Sequence, residues 1–244
     1  MTLLKRFFIK FLENTCSRFL LFRRVTKIGY FGLNKIDQHL EEFFPNKNGY
    51  FVELGANDGI SQSNTLYLEK YKNYKGVLIE PHPGNFEKCQ KTRSDKNHFF
   101  MGACVSFEYP QPTMKLIYSN LMTVSIEGET TIDDPRKHAS EGEKFLRHES
   151  LSQFTAKAQT LNDVLREANA PAKIDFFSLD VEGAEIEVLK GINFSEYRFK
   201  IICVETNSFD LINNFLQSQN YHFLKKISGH DYIFSHELTD ATRI

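Results

Sequence analysis

Five short apolar segments constrain the fold of this chain more than any other feature. They are "GYFVELGANDG", "KGVLIEPHP", "HFFMGACVS", "KIDFFSLD" and "FKIICVETN". Stretches with helical periodicity follow the first two and the last two of them, for example "SNTLYLEKYKNY". Strands that alternate with helices are typical of βαβ units and a parallel sheet. The sequence therefore predicts an α/β domain, with helices on both faces of a mostly parallel sheet.

The C-terminal part of the chain departs from this alternation. "YHFLKKI" and "DYIFS", joined by "SGH", predict an antiparallel hairpin that closes one edge of the sheet. At 244 residues the chain is long enough for one domain with a sizeable core and an insertion. The insertion is residues 107–157, where prolines and polar residues interrupt any periodicity, and we expect it to be a lid, a binding loop or a disordered insertion.

The N-terminal residues differ from the rest of the chain in net charge. Residues 1–28 carry a net charge of +6 and the rest of the chain −7, and large apolar residues recur in this segment near helical spacing. We therefore expect residues 1–33 to be a basic amphipathic helical arm and residues 34–244 to be the domain. Such a helix suits an anionic membrane surface, but it equally suits docking on its own domain or on a second subunit, as in a homodimer.

Charge and cysteine usage limit the partners and the compartment. An acidic domain behind a short basic arm does not favour nucleic acid as a partner. The four cysteines are scattered, with neither a CxxC pair nor zinc-like spacing, and no secretory signal precedes them. We expect reduced thiols in a cytoplasmic protein, peripheral at the inner face of a membrane if the arm binds lipid.

The turn after the first strand is the first candidate binding element. In "VELGANDG", Gly55 and Gly59 allow a tight turn and the close approach of a ligand. The spacing matches neither the dinucleotide fingerprint nor a phosphate-binding P-loop. Glu53, just before the turn, would repel phosphate and attract a cationic ligand.

The second strand ends in a carboxylate, Glu80. A carboxylate at this position can accept hydrogen bonds from both hydroxyls of a ribose that lies across the switch point of the sheet. Together with the glycine turn, Glu80 predicts a nucleoside cofactor with a positively charged tail that lacks phosphate. That description fits S-adenosylmethionine (SAM).

Four stretches resemble the FkbM family of SAM-dependent methyltransferases: "FVELGANDGISQSNTLYLE", "GVLIEPHPGNF", "GACVS" and "IDFFSLDVEGAEIEVLKGI" with the later "ICVETN". The resemblance covers residue 50 to about residue 235, and "LDVEGAE" is its most specific part. It implies the Rossmann-like class I methyltransferase fold, a seven-stranded sheet in the order 3-2-1-4-5-7-6 with strand 7 antiparallel. It also implies an enzyme that methylates hydroxyl oxygens of sugars, glycolipids or related small molecules.

The resemblance assigns roles to individual positions. It implies that the segment from Glu53 to Gly59 wraps the methionine part of SAM, that Glu80 holds the ribose, and that residues around Ala103 and Cys104 line the adenine. At the start of the next helix, side chains and backbone N–H groups would hold the carboxylate of the cofactor. The cofactor-binding residues expected are Glu53, Gly55, Ala56, Asn57, Asp58, Gly59, Ser63, Asn64, Thr65, Glu80, Pro81, Ala103, Cys104 and Asp180.

Methyl transfer to a hydroxyl needs alignment of the acceptor and removal of a proton. Asp180 ends the fourth strand, where α/β sheets place ligands, and is the first candidate for contact with substrate or metal. Glu205 and Asn207 end the fifth strand. Because carboxylate and amide oxygens suit Mg²⁺ or another hard divalent cation, Asp180, Glu205 and Asn207 form a candidate metal site.

Three further residues near the strand ends have structural interpretations, and for Glu182 and His230 a functional interpretation also stays open. Glu182 contacts the substrate or braces its loop. Glu185, in the first turn of the next helix, favours the helix dipole. His230 is a candidate base, together with Asp180 and Glu182 as catalytic residues, although an isolated surface histidine is the simpler interpretation.

Two alternatives to an active methyltransferase remain. The first is a binding or regulatory module that keeps the fold without catalysis. Intact Gly55, Gly59, Glu80 and Asp180 argue against it. The second is a nicotinamide-dependent reductase, which the missing dinucleotide fingerprint argues against.

Overall fold

A computed structural model of the protein describes residues 29–146 and 149–236. Most of the predicted arm lies outside these described residues, so its helix stays a prediction. The described residues from Phe31 onwards belong to one unit. None of the helices in the two described ranges combines the length and the apolar character that crossing a bilayer requires.

Seven strands form the main sheet, in the order β3-β2-β1-β8-β9-β11-β10. In chain order the strands of the protein are β1 (Tyr50–Leu54), β2 (Lys75–Glu80), β3 (His98–Met101), β4 (Ala103–Val105), β5 (Thr113–Tyr118), β6 (Val124–Ser125), β7 (Ser152–Thr160), β8 (Lys173–Leu179), β9 (Arg198–Glu205), β10 (His222–Lys226) and β11 (Asp231–Ser235). β11 runs antiparallel to both of its neighbours, and the other pairs in this sheet are parallel. Numbered within this sheet alone, the order is 3-2-1-4-5-7-6, and the predicted fold class is confirmed.

The central strands are buried on both faces, as their continuous apolar runs predict. The parallel register of β1 and β8 pairs Phe51 with Phe176 and Val52 with Phe177. Phe51 and Phe176 belong to one core cluster, whereas Val52 and Phe177 belong to the other. Because neighbouring residues of a strand point to opposite faces, the sheet has a core on each side.

The described helices cover the main sheet or belong to the insertion. They are α1 (Ile36–Leu40), α2 (Leu66–Lys72), α3 (Pro83–Thr92), α4 (Pro135–Glu141), α5 (Leu161–Glu167), α6 (Glu185–Leu189) and α7 (Phe209–Ser218), with short 3₁₀ turns at Leu33–Lys35, Glu41–Phe43, Asn120–Met122 and Gly142–Phe145. Thr160 caps α5 by accepting a hydrogen bond from the backbone N–H of Asp163 at 3.1 Å.

The predicted third strand is two strands that belong to different sheets. β3 ends at Met101, and β4 begins at Ala103 and joins a second sheet. Gly102 separates them, and a Cβ atom there would lie 2.6 Å from the carbonyl oxygen of Lys157. The chain can cross from one sheet to the other here because glycine permits this close backbone contact.

The expectation that residues 107–157 form an irregular loop was wrong, whereas their role as a lid stays a prediction. The segment builds most of a four-stranded sheet in the order β4-β7-β5-β6, in which β5 and β7 pair antiparallel from Thr113–Lys157 to Tyr118–Ser152. Its prolines mark element ends, since Pro110 and Pro112 precede β5 and Pro135 opens α4. Because polar residues separate these short elements, the segment as a whole shows no clear apolar periodicity.

Candidate functional site

The parallel strands of the main sheet end at one edge, where a cavity of about 360 Å³ opens. The second sheet forms its other wall through residues such as Met114 and Leu116. Many of the residues predicted for the site line this cavity: Gly55, Asn57, Glu80, Pro81, Ala103, Cys104, Asp180, Glu182, Glu205, Asn207 and His230. The main sheet therefore brings together residues up to 175 positions apart in the sequence.

The turn after β1 is shaped by contact with its two neighbouring strands. The backbone N–H groups of Gly55 and Ala56 donate to the carbonyl oxygen of Ile79 in β2, at 3.2 and 3.0 Å. Gly55 has φ +79°, and a Cβ atom there would lie 2.1 Å from the carbonyl oxygen of Asp180. Only glycine fits at this position, so its role is to let β1 turn against the end of β8.

Glu80 presents a buried carboxylate to the cavity. Its Oε2 accepts from the backbone N–H of Asn57 and its Oε1 from that of His82, both at 2.9 Å. Burial raises the pKa of Glu80 to about 7, against the effect of these two hydrogen bonds. Each oxygen keeps acceptor capacity for a further donor, such as a hydroxyl group of a ligand.

The structure turns Glu53 and the residues predicted to bind the cofactor carboxylate away from the cavity. The hydroxyls of Ser63 and Thr65 and the backbone N–H of Asn64 all donate to the Glu53 carboxylate, at 2.6–3.1 Å. Arg93, at the end of α3, forms a buried ion pair with the same carboxylate at 3.0 Å. The donors expected for a cofactor carboxylate therefore hold a carboxylate of the protein itself.

The remaining turn residues shape the loop without lining the cavity among the described residues. Oδ1 of Asp58 accepts from the backbone N–H groups of Ile60 and Ser61, at 2.9 and 2.7 Å. Gly59 has φ +79°, and a Cβ atom there would approach Thr92 and Arg93. Ala56 is buried in the core beside β1. These residues stabilise the turn on the side that does not line the cavity.

Asp180 directly follows β8 and lies inside a group of acidic residues. It lies with Glu182 and Glu205 so that one carboxylate oxygen from each is within 4.8 Å of the others. Burial, together with the negative charges of Glu205 and Glu182, raises the pKa of Asp180 well above its usual range. Burial and the neighbouring Asp231 likewise raise the pKa of Glu205 to about 8.

Glu182 is held by a histidine from the insertion. His138, in α4, lies 2.8 Å from Oε2 of Glu182 through its Nε2 atom, and both residues line the cavity. This hydrogen bond is the main cause of a raised pKa of His138. The following loop is also attached to the insertion, since the backbone N–H of Thr131 donates to the carbonyl oxygen of Gly183 at 2.9 Å.

His230 faces the same acidic group from the hairpin. Its Nε2 lies 3.3 Å from Oε1 of Glu205 and 4.0 Å from Oδ2 of Asp231. Asn207 lines the cavity close to Glu205. The predicted metal residues Asp180 and Glu205 therefore do meet, but with Glu182 as their third carboxylate.

Glu185 supports the turn that precedes α6. It is 1% exposed, and its Oε1 accepts from the backbone N–H of Gly183 at 2.7 Å. Burial raises its pKa to about 7. The hydrogen bond to Oε1 agrees with the structural role expected at the start of the helix. The other oxygen, Oε2, accepts no hydrogen bond.

Several residues at the site had no signal in the sequence. His138, Lys144 and Phe145 line the cavity from the insertion, where the chain shows no periodicity. His82 does not border the cavity among the described residues and stacks on Tyr118 instead, with ring centroids 3.7 Å apart. His138 becomes a candidate site residue only through its contact with Glu182, which the tertiary structure shows and the sequence does not.

A comparison of the sequence with models of protein families matches one family. The model of the methyltransferase FkbM domain matches residues 53–223, well over half of the chain. A comparison with functionally curated proteins finds no match.

Among solved structures, the chain is similar to a methyltransferase FkbM from Methylobacillus flagellatus KT, with 17% identity over 77% of this chain and a TM-score of 0.44. The chain spans 43% of the length of that protein. It is also similar to a precorrin-6y C5,15-methyltransferase from Geobacter metallireducens GS-15, with 9% identity, 81% of this chain and 85% of the other covered, and a TM-score of 0.42. A SAM-dependent methyltransferase from Aquifex aeolicus gives 8% identity, 82% and 88% coverage and a TM-score of 0.41. These structural likenesses are distant, so the family rests on the sequence match.

Proposed function

Since the chain belongs to the methyltransferase FkbM domain family, we propose that it is a SAM-dependent O-methyltransferase. The acceptor we propose is a hydroxyl group of a sugar, a glycolipid or a related small molecule. The observation that supports this most is the buried Glu80 carboxylate, which borders the cavity one strand away from the Gly55 turn. A carboxylate at the end of the strand next to a glycine turn suits the two hydroxyls of a ribose.

The cavity fits the other parts of SAM. Ala103 and Cys104 offer a small apolar wall for the adenine beside Glu80. The acidic group of Asp180, Glu182 and Glu205 favours a positively charged ligand and disfavours the phosphates of a dinucleotide. When bound, SAM supplies an electrophilic methyl group on a positively charged sulfur.

Two histidines can take up the proton that the acceptor loses. His138 and His230 both line the cavity, and each lies beside a carboxylate, Glu182 or Glu205. A carboxylate next to an imidazole orients the ring and stabilises its protonated form. In methyl transfer, the O–H bond of the acceptor and the S–CH₃ bond of the cofactor would break and an O–CH₃ bond would form, and the imidazole of His138 or His230 would take the proton.

The proposed acceptor would lie against the part of the cavity wall that the insertion supplies. Leu121, Met122 and Phe145 give this side an apolar character, and Lys144 adds one positive charge. Such a surface suits a molecule with both hydroxyl groups and apolar parts, for example a sugar on a lipid carrier. We propose cytoplasmic action, next to a membrane if the N-terminal arm binds lipid.

Calorimetry with S-adenosylhomocysteine (SAH) and with NAD tests the cofactor. We expect SAH to bind and NAD not to bind. Glu80→Gln removes a charged hydrogen-bond acceptor, and a hydrogen bond to a charged group contributes roughly 1.5–3 kcal/mol. We therefore expect SAH to bind the variant roughly tenfold to hundredfold more weakly. Glu167→Gln makes the same change on an exposed side chain and should bind SAH like the wild type. Binding of NAD alone would contradict the proposal, and binding of neither would favour a non-catalytic module.

Mass spectrometry of glycans tests the acceptor class. Cell-surface glycans from a strain that lacks the protein should have lost a methyl group that reintroduction of the wild-type chain restores. Reintroduction of Glu80→Gln should restore less of it. Identical glycans in the parent and the deletion strain would argue against a surface glycan as the acceptor.

A further inference from the structure

A second, smaller pocket lies next to the main cavity. Its volume is about 20 Å³, enough for a single water molecule or ion. Four carboxylates line it: Asp180, Glu182, Glu185 and Glu205. No lysine or arginine lines it among the described residues. A pocket of this size with this charge needs a cation or bound protons to be stable.

The carboxylate oxygens are spaced for a shared ion. One oxygen each from Asp180, Glu182 and Glu205 lies within 4.8 Å of the other two. Oxygen ligands bind hard divalent cations at about 2.0–2.6 Å, so two oxygens on one ion are at most about 5 Å apart. The observed spacing therefore allows one common centre.

Glu185 gives an independent indication of a missing partner. Its side chain is buried and borders the same pocket. Its Oε2 atom accepts no hydrogen bond of ordinary geometry, although the Thr206 side chain lies near this carboxylate. Buried polar atoms are nearly always paired, because an unpaired one loses its hydration without compensation. A cation in the pocket would supply the partner that Oε2 of Glu185 lacks.

Two histidines hold the outer oxygens of this group. His138 contacts Oε2 of Glu182 at 2.8 Å, and His230 lies 3.3 Å from Oε1 of Glu205. Each contact involves one oxygen of its carboxylate and leaves the other for a different partner. Hydrogen bonds from a second layer of residues commonly orient the carboxylates that bind a metal.

We propose that Asp180, Glu182 and Glu205 bind one divalent cation, with Oε2 of Glu185 beside it. The donor set contains only oxygen, which suits Mg²⁺, Mn²⁺ or Ca²⁺ better than Zn²⁺. The alternative group of Glu205, His230 and Asp231 is less suited, since Asp231 borders neither pocket among the described residues and accepts a hydrogen bond from Ser228.

The position of the ion suggests its role, which rests on the proposed function. Asp180, Glu182 and Glu205 border the main cavity as well as the small pocket. A cation held there would adjoin the cavity and could coordinate the hydroxyl oxygen of the acceptor, which would make the hydroxyl proton more acidic. The proton passes to an imidazole as the methyl group moves from sulfur to oxygen.

Calorimetric titration of the full chain with MnCl₂ tests the ion site. We expect one saturable Mn²⁺ site with a Kd in the millimolar range or tighter. The double variant Asp180→Asn, Glu205→Gln should weaken it at least tenfold. The control Asp133→Asn, Glu108→Gln removes the same charge from two exposed residues and should bind Mn²⁺ like the wild type. Equal weakening in both variants, or no saturable site in the wild type, would overturn the proposal in favour of protons shared between Asp180 and Glu205.

A spectroscopic measurement locates the ion without relying on a variant that could misfold. Bound Mn²⁺ should broaden the imidazole NMR signals of His138 and His230 more strongly than those of His98 and His222, which begin β3 and β10. Uniform broadening would overturn the assignment. Binding of SAH is measured in the same samples. SAH binding without Mn²⁺ binding rejects only the ion site, whereas Mn²⁺ binding without SAH binding supports the ion site and contradicts the proposed cofactor.

Discussion

At the residue scale, the buried guanidinium of Arg93 binds the carboxylates and the hydroxyl that lie next to the candidate site, outside the cavity. It pairs with Glu53 at 3.0 Å and with Glu69 at 2.8 Å, and its Nη2 donates to the hydroxyl of Thr65 at 2.9 Å. The Arg93 side chain has no exposed surface. Ion pairs with so little solvent contact are costly to break, because the charge that remains cannot be rehydrated without opening the structure.

Replacement of Arg93 should therefore reduce stability strongly. Arg93→Met leaves two buried carboxylates without their cation, and we expect a loss of roughly 3–5 kcal/mol in the free energy of unfolding. Arg166→Met is the control, since Arg166 pairs with Asp163 and Glu196 on an exposed face and should cost at most about 1 kcal/mol. Urea denaturation measures both. Similar losses in the two variants would contradict the role of burial.

Glu80 should make the stability of the free protein depend on pH. Its folded pKa of about 7 exceeds the unfolded value near 4.5, so the folded chain keeps a proton that the unfolded chain releases. Stability from this group is thus greatest below about pH 4.5 and falls as the pH rises to about 7. At about 1.4 kcal/mol per pKa unit, the fall amounts to roughly 3 kcal/mol.

The difference between Glu80→Gln and the wild type isolates this dependence. Other buried carboxylates contribute to both proteins and cancel in the difference. We expect the variant to gain stability relative to the wild type between about pH 5 and pH 7, with little further change above pH 7. Urea denaturation across this range provides the curves. A constant difference at all pH values would show that the pKa of Glu80 is not raised.

At the element scale, the insertion is attached to the end of the main sheet through α6. Glu187 is buried, and its Oε1 accepts from the backbone N–H and the hydroxyl of Ser106, at 3.0 and 2.7 Å. Its Oε2 accepts from the backbone N–H of Glu129 at 3.0 Å. One carboxylate therefore connects α6 to both ends of the segment that contains β5 and β6.

Loss of this carboxylate should loosen the insertion. Glu187→Ala leaves the donors of Ser106 and Glu129 without an acceptor, which costs roughly 1–3 kcal/mol for each one that stays buried. We expect faster hydrogen–deuterium exchange in residues 106–130, while the β8 and β9 amides stay protected. Glu129→Ala, which removes only an exposed ion pair with Lys190, should leave exchange unchanged. Equal exchange in both variants would contradict this attachment.

At the scale of the whole molecule, the arm and the domain differ in charge. The net charge of +6 on residues 1–28 should draw the chain to anionic lipid, and the apolar residues of the arm should then insert. In liposome sedimentation we expect the full chain to pellet with anionic vesicles and the chain without residues 1–28 to stay in solution. Vesicles without anionic lipid serve as the control. Equal pelleting of the two chains would contradict membrane binding by the arm.

Much of the main sheet follows from local sequence. Strand ends such as Leu54–Gly55 and Leu179–Asp180 are visible because an apolar run stops at a glycine or a carboxylate. The candidate cavity follows from these ends, because parallel strands finish at the same edge. The insertion does not follow in this way, since β5 and β7 are half-exposed strands separated by residues 119–151, which contain β6, α4 and several turns.

The sequence by itself determined the fold class, the edge of the sheet that carries the candidate site, and the positions of Gly55 and Glu80 at that edge. These depend on short apolar runs and on the residues that end them, which are local properties of the chain. Only the tertiary structure decided which carboxylates face the cavity. Arg93 turns Glu53 inward from 40 positions away, and His138 meets Glu182 from 44 positions away. The partner of a carboxylate decides its charge and its role, and no local spacing records which partner the fold brings to it.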